Sequence, residues 1–158
     1  MIEHINYDID EERLLLEAEN FDGYEPYLDP KTKHILNHWL IKRVSTGYGR
    51  LIADDFEKIL STKVKPRFYI LKQGFELPFH SDRGTTCAIN FVLSTSDDAI
   101  SFHDGDHKYK SAIIDVTQDH AVKAVTEDRY LFKLSIFDKS YDDCKEDYVR
   151  YRTNTIRA

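Results

Sequence analysis

The apolar positions change period near residue 66. Before it they recur every three or four residues, and after it they alternate. DEERLLLEAENF predicts a short helix that ends near Asn20, with Gly23 in the turn beyond. YLDPKTKHILNHWLIKRV predicts a second helix: Asp29 is the N-cap, Pro30 the first helical residue, and Ile35, Leu36, Trp39 and Leu40 form one apolar face. GRLIADDFEKILST predicts a third through Leu51, Ile52, Phe56, Ile59 and Leu60, and Pro66 closes the helical region.

From there PRFYILKQ, TTCAINFVLS, AISFH, HKYKSAII, HAVKAV and RYLFKLSIF read as short strands separated by turn residues. DGD at 104–106 predicts a tight hairpin. The charged tail YDDCKEDYVRYRTNTIRA fits no single element clearly. The expected architecture is mainly β with N-terminal helices, in one domain over 1–158. Residues 1–63 would form a helical support layer, 64–138 a closed or sandwiched antiparallel core of the jelly-roll kind, and 139–158 a C-terminal tail.

Two strands reveal their faces. In TTCAINFVL, Cys87, Ile89, Phe91 and Leu93 share one side, and Thr86, Ala88, Asn90 and Val92 the other. In RYLFKLSIF, Tyr130, Phe132, Leu134 and Ile136 are the greasy side, opposite Arg129, Leu131, Lys133 and Ser135. A small barrel whose inner face is partly polar commonly holds a ligand.

Composition narrows the class. With 158 residues, 41% of them hydrophobic, the chain suits one folded core. A net charge of −6 argues against a nucleic-acid or anionic-membrane surface, since phosphate recognition needs concentrated Lys and Arg. Two separated cysteines, Cys87 and Cys144, make no disulfide framework. The acidic N-terminus lacks the basic start of a signal peptide, and no apolar run reaches spanning length, so a cytoplasmic, reducing location is expected.

The candidate chemistry begins in FELPFHSDRGTT. His80 and Asp82 stand two apart at the mouth of an apolar strand. Alone they read as a polar turn. His120, at the start of a later strand, supplies a third donor, and Arg129 opens the next strand nine residues on. Two imidazoles and one carboxylate leave about three positions open on a metal, an arrangement associated with non-haem Fe(II) oxygenases. A dicarboxylate that chelates the metal at one end needs a cation at the other, and a guanidinium binds carboxylate bidentately.

HSD at 80–82, His120 and Arg129 in this order resemble the Fe(II)- and 2-oxoglutarate-dependent dioxygenase superfamily. HAVKAVTEDRY is similar to the distal segment of its prolyl hydroxylase branch, and FYILKQGFELPFHSD fits the same branch. The resemblance spans roughly residues 64–138 and implies a double-stranded β-helix (jelly-roll or cupin-like) core. It implies that His80, Asp82 and His120 hold Fe(II), that Arg129 pairs the far carboxylate of 2-oxoglutarate, and that O2 completes the reaction. Oxidative decarboxylation to succinate would then be coupled to hydroxylation of a peptidyl side chain, an amino acid or a small metabolite. The tyrosine, serine or threonine that often assists the arginine would be Tyr69. Lys133 is either a second cation there or a rim residue.

Other groupings carry less. HDGDH at 103–107 is first a hairpin turn; His34 and His38 sit four apart on the expected second helix, a spacing that can chelate zinc, but Trp39 and the nearby lysines favour a surface or packing role. Asn90 would address substrate or 2-oxoglutarate if its face is the metal face; otherwise it is a satisfied core amide. Arg83 fits the cavity mouth or a solvated surface, and Cys87 the core. Two competing functions stand beside the hydroxylase: a non-catalytic cupin-like sensor or assembly module, and Mn-dependent chemistry on the same ligands.

Overall fold

The computed structural model describes residues 1–95 and 99–157. A first strand, β1 (Ile2–His4), precedes helix α1 (Glu11–Glu19), and a hairpin of β2 (Glu25–Leu28) and β3 (Ile35–Arg43) follows. Helix α2 (Gly47–Leu60) leads into β4 (Val64–Leu71), β5 (Leu77–His80) and β6 (Cys87–Val92). Then come β7 (Ile100–Phe102), β8 (Gly105–His107), β9 (Ser111–Ile114), β10 (His120–Val122) and β11 (Arg129–Ile136). Helix α3 (Tyr141–Arg157) ends the chain and accounts for the charged tail.

From β4 onward the strands divide between two antiparallel sheets. The larger has the order β1-β9-β6-β11-β4-β3-β2, the smaller β5-β10-β7-β8. This is a double-stranded β-helix, widened on the larger sheet by strands from the first 43 residues. One face of the larger sheet carries the helices, through Leu14, Phe56 and Tyr148 packed on Phe68, Phe91 and Phe132. The other face meets the smaller sheet, around Ala88, Phe102 and Ile114 at one end and Leu71, Val122 and Val125 at the other. The alternation read in β6 and β11 is the observed one: Cys87, Ile89, Phe91, Phe132, Leu134 and Ile136 all lie in the helix-side core.

The helix expected over 29–43 is instead the β2–β3 hairpin. Asp29 does accept main-chain hydrogen bonds, from Lys31 N at 2.8 Å and Thr32 N at 3.4 Å, but these close a turn. Lys33 then adopts φ 62°, which ends any helical path. An Asp-Pro pair starts turns and helices by the same local hydrogen bond, and pairing with β4 decides between them here. Trp39, Leu40 and Ile41 stand opposite Leu71, Ile70 and Tyr69. Residues 1–63 therefore provide strands as well as helices. Two smaller corrections follow: Pro66 lies within β4 rather than closing the region before it, and HKYKSAII splits into the last residue of β8, a three-residue connection and the whole of β9. The hairpin at 104–106 is present, its register pairing Phe102 with Gly105.

The helices are capped by neighbours. Asp10 accepts from Arg13 N at the start of α1. Lys42 of β3 reaches the other end, donating to the carbonyls of Glu17 at 2.7 Å and Asn20 at 2.5 Å. Thr46, before α2, makes no side-chain cap; Glu17 replaces it, accepting from Tyr48 N at 2.6 Å and Gly49 N at 3.0 Å. Gly49 packs closely: a Cβ there would stand 3.1 Å from Val44 Cγ1 and 3.2 Å from the Phe132 ring, so a neighbour would have to shift. Among the described residues no helix is long and apolar enough to cross a membrane.

Candidate metal centre and adjoining cavity

His80 ends β5 and His120 begins β10, and the two are directly paired across the smaller sheet. Main-chain pairing thus places their rings 4.4 Å apart between centroids. Asp82 lies two residues past β5, held by its own N–H donating to Val116 O at 3.0 Å. The donor atoms of His80, Asp82 and His120 all fall within 4.8 Å of one another.

The imidazoles are oriented for ligation. Each Nδ1 lies 2.8 Å from a carbonyl, Pro78 O for His80 and Gln118 O for His120. A carbonyl only accepts, so each Nδ1 carries the proton and each Nε2 keeps its lone pair in the neutral ring. Both Nε2 atoms point at Asp82 Oδ1, each at 3.4 Å. The other carboxylate oxygen, Oδ2, accepts from Lys133 Nζ at 2.7 Å. Two nitrogens and one oxygen converging with tautomers already set are a donor set that fits a divalent transition metal.

The charges are tightly interlocked. Burial acts to raise the Asp82 pKa, but the Lys133 ammonium outweighs it, joined by hydrogen bonds from His120 and His80 when their Nε2 atoms are protonated, and the carboxyl is held far below the ordinary range. Burial opposes charge on Lys133 too, and the Asp82 carboxylate reverses this, so its pKa is raised. For His80, burial disfavours the imidazolium, while the bonds to Asp82 and the Pro78 carbonyl more than compensate, and its pKa is also raised. Any divalent metal on the imidazoles therefore competes with a proton on His80. Metal affinity is expected to fall as pH drops below that raised value, about tenfold per pH unit through His80 alone. Mn(II) titration across a pH series measures this directly.

His80 and His120 line a cavity between the sheets, lined also by Tyr69, Asn90, Tyr109, Arg129 and Lys133. Arg129 is 4% exposed and donates through Nη2 to Tyr109 Oη at 3.2 Å. Asn90 Nδ2 donates to the same oxygen at 3.1 Å. Because Tyr109 Oη accepts twice, its own hydrogen is free to be donated elsewhere. Arg129 Nε and Asn90 Oδ1 are buried without a hydrogen-bond partner among the described residues. A buried guanidinium edge and a buried amide carbonyl left open are costly unless something polar meets them, and a carboxylate with an adjoining donor is a chemical match.

The other expected residues fall as follows. Tyr69 is buried on β4 and lines the cavity, with its ring 5.4 Å from Trp39. Its hydroxyl lies 3.5 Å from Arg67 Nη1. Lys133 is neither a rim residue nor a companion of Arg129, since its ammonium is engaged by Asp82. Asn90 does share the cavity face. Arg83 is exposed. The HDGDH side chains disperse: His103 faces Asp119 at 3.4 Å, His107 faces Asp104 at 3.0 Å, and Asp106 faces Lys123 at 2.6 Å. His34 lies in the β2–β3 turn and His38 stacks on Phe75 at 4.4 Å. Tyr109 was missed because HKYKSAII reads as one strand, whereas the residue sits in the connection between β8 and β9 and owes its position to no alternation.

No family model matches the chain, and no curated protein matches its sequence. Solved structures do share the fold. A prolyl hydroxylase from Trichoplax adhaerens, in complex with a hypoxia inducible factor oxygen degradation domain peptide fragment, is 11% identical with a TM-score of 0.69. That match covers 94% of this chain and 85% of the other. A prolyl-4-hydroxylase from Pseudomonas putida is 12% identical with a TM-score of 0.64, covering 88% and 92%. An oxidoreductase of the 2OG-Fe(II) oxygenase family from Burkholderia pseudomallei is 10% identical with a TM-score of 0.51, covering 77% and 75%.

Proposed function

We propose that the chain is an Fe(II)- and 2-oxoglutarate-dependent oxygenase, with His80, Asp82 and His120 as the metal ligands. One observation carries the reading. Two of the three clustered donors, His80 and His120, line the same cavity as a buried arginine whose Nε has no partner among the described residues. In this reading Arg129 pairs the far carboxylate of 2-oxoglutarate, Tyr109 Oη donates to it, and Tyr69 closes the cavity wall. When bound, Fe(II) and 2-oxoglutarate would supply the oxidative chemistry, in which O2 and the cosubstrate yield succinate, carbon dioxide and a hydroxylated substrate. The chain itself fixes the tautomers of both histidines, holds Asp82 ionised, and shields the cavity between two sheets.

The substrate class that this reading supports is a peptidyl side chain, an amino acid or a small metabolite. The shared fold with prolyl hydroxylases, one of them solved with a peptide, supports this. A cytoplasmic, reducing setting is part of the proposal, since it keeps iron ferrous. Anaerobic addition of Fe(II) and 2-oxoglutarate to the protein is expected to produce a visible charge-transfer band that needs both components. Metal binding without that band would instead favour a metal-binding sensor on the same fold.

A further inference from the structure

The larger sheet contributes one charged group to the donor cluster. Lys133 lies on β11, on the same strand face as Arg129 and two alternations further along. Its side chain is only 14% exposed, as is that of Asp82, and Nζ meets Asp82 Oδ2 at 2.7 Å. The carboxylate is thereby divided. Oδ2 belongs to the lysine, and Oδ1 faces both Nε2 atoms at 3.4 Å.

Folding stability is a weak reason for such a pair. Desolvating two charges costs about as much as their attraction returns, and apolar replacements of buried pairs are often neutral or better. The position of the lysine therefore calls for an account in terms of the carboxylate it divides. A carboxylate can give a metal one oxygen or two, and a hydrogen-bonded oxygen is the poorer donor. The ammonium also draws negative charge away from the ligand.

We propose that Lys133 is a positioning residue that restricts Asp82 to one-oxygen ligation, reserving a metal position that a two-oxygen carboxylate would occupy. A second consequence is that the centre holds its metal less tightly than the same three ligands would alone. The inference rests on the metal reading above. In this role Lys133 acts through Asp82, the residue its ammonium meets.

Mn(II) tests this without catalysis. Its affinity is measured by titration, and its coordinated water is counted from the relaxation of solvent protons. In wild type, three protein donors leave about three positions for water. Lys133→Met is expected to lose about one of the three, lowering the relaxation enhancement by about a third. It is also expected to bind Mn(II) about tenfold more tightly, since a unit charge beside the ligand is gone. Lys133→Gln keeps a donor for Oδ2 without the charge, so it is expected to tighten binding while keeping the wild-type water count.

Unchanged affinity and water count in the methionine variant overturn the proposal. Should that variant fail to fold, unchanged affinity in the glutamine variant overturns it equally. A purely structural role would alter folding while leaving both readouts as in wild type. Failure of wild type to bind Mn(II) in a His80-dependent way would instead remove the metal reading itself.

Discussion

Asp82→Ala is expected to abolish metal binding and to destabilise the metal-free protein by about 3 kcal/mol. The first effect follows from geometry: Asp82 Oδ1 is the oxygen toward which both imidazoles converge. The second follows from what remains. Lys133 loses its carboxylate and is left as a charge that is mostly buried. Removing one partner of a buried pair costs far more than the pair itself contributes, and the residual 14% exposure puts the figure at the low end of the range. His80→Ala is the contrast, since it leaves the Asp82–Lys133 pair intact and orphans no charge. Urea denaturation of metal-free protein should separate the two variants clearly, while metal titration should find both defective. Equal stabilities would show that Lys133 finds another partner or reaches water.

The second large effect concerns the cosubstrate. Arg129→Ala is expected to weaken 2-oxoglutarate binding about 100-fold, the loss typical of truncating one member of a buried charged pair. Fe(II) binding in the absence of 2-oxoglutarate should be unaltered, because the arginine makes no contact with the three donors. Titrating the charge-transfer band with 2-oxoglutarate reads the first quantity, and metal titration the second. Wild-type affinity for 2-oxoglutarate would exclude Arg129 from that role. Its buried Nε would then have to be explained by a different ligand.

The features legible in the sequence are those that local rules determine alone. β6 and β11 lie at the centre of the larger sheet with both faces covered, so each face had to be chemically distinct. Their alternation placed Phe91 and Phe132 toward the helices and Asn90, Arg129 and Lys133 toward the cavity. The cluster of His80, Asp82 and His120 was legible because the two histidines sit at strand termini and Asp82 two residues past one, where polar side chains interrupt apolar runs.

The hairpin at 25–43 was not legible, because Asp29 and Pro30 satisfy the rules for a turn and for a helix start alike. Only the pairing of Trp39, Leu40 and Ile41 with β4 settles the matter, and that pairing is tertiary. The partner of Lys133 was hidden for a similar reason. Asp82 lies 51 residues away, and nothing along the chain indicates that the two sheets bring them into contact. Tyr109 is harder still, since its hydroxyl reaches Arg129 and Asn90 from a connection rather than from a strand.

His80 and His120 are opposite residues of one antiparallel ladder, although forty positions separate them along the chain. Their spacing is therefore a property of main-chain hydrogen bonding and owes nothing to how many residues intervene. The carboxylate shares in this, because the Asp82 amide hangs on Val116, just ahead of β10. Connections that carry neither Asp82 nor residues 116–118 are thus free to lengthen, shorten or change their side chains while the donor cluster stays in place. A lineage built on this scaffold can explore new rims around the cavity by insertion and deletion, with the centre that would perform the chemistry left untouched.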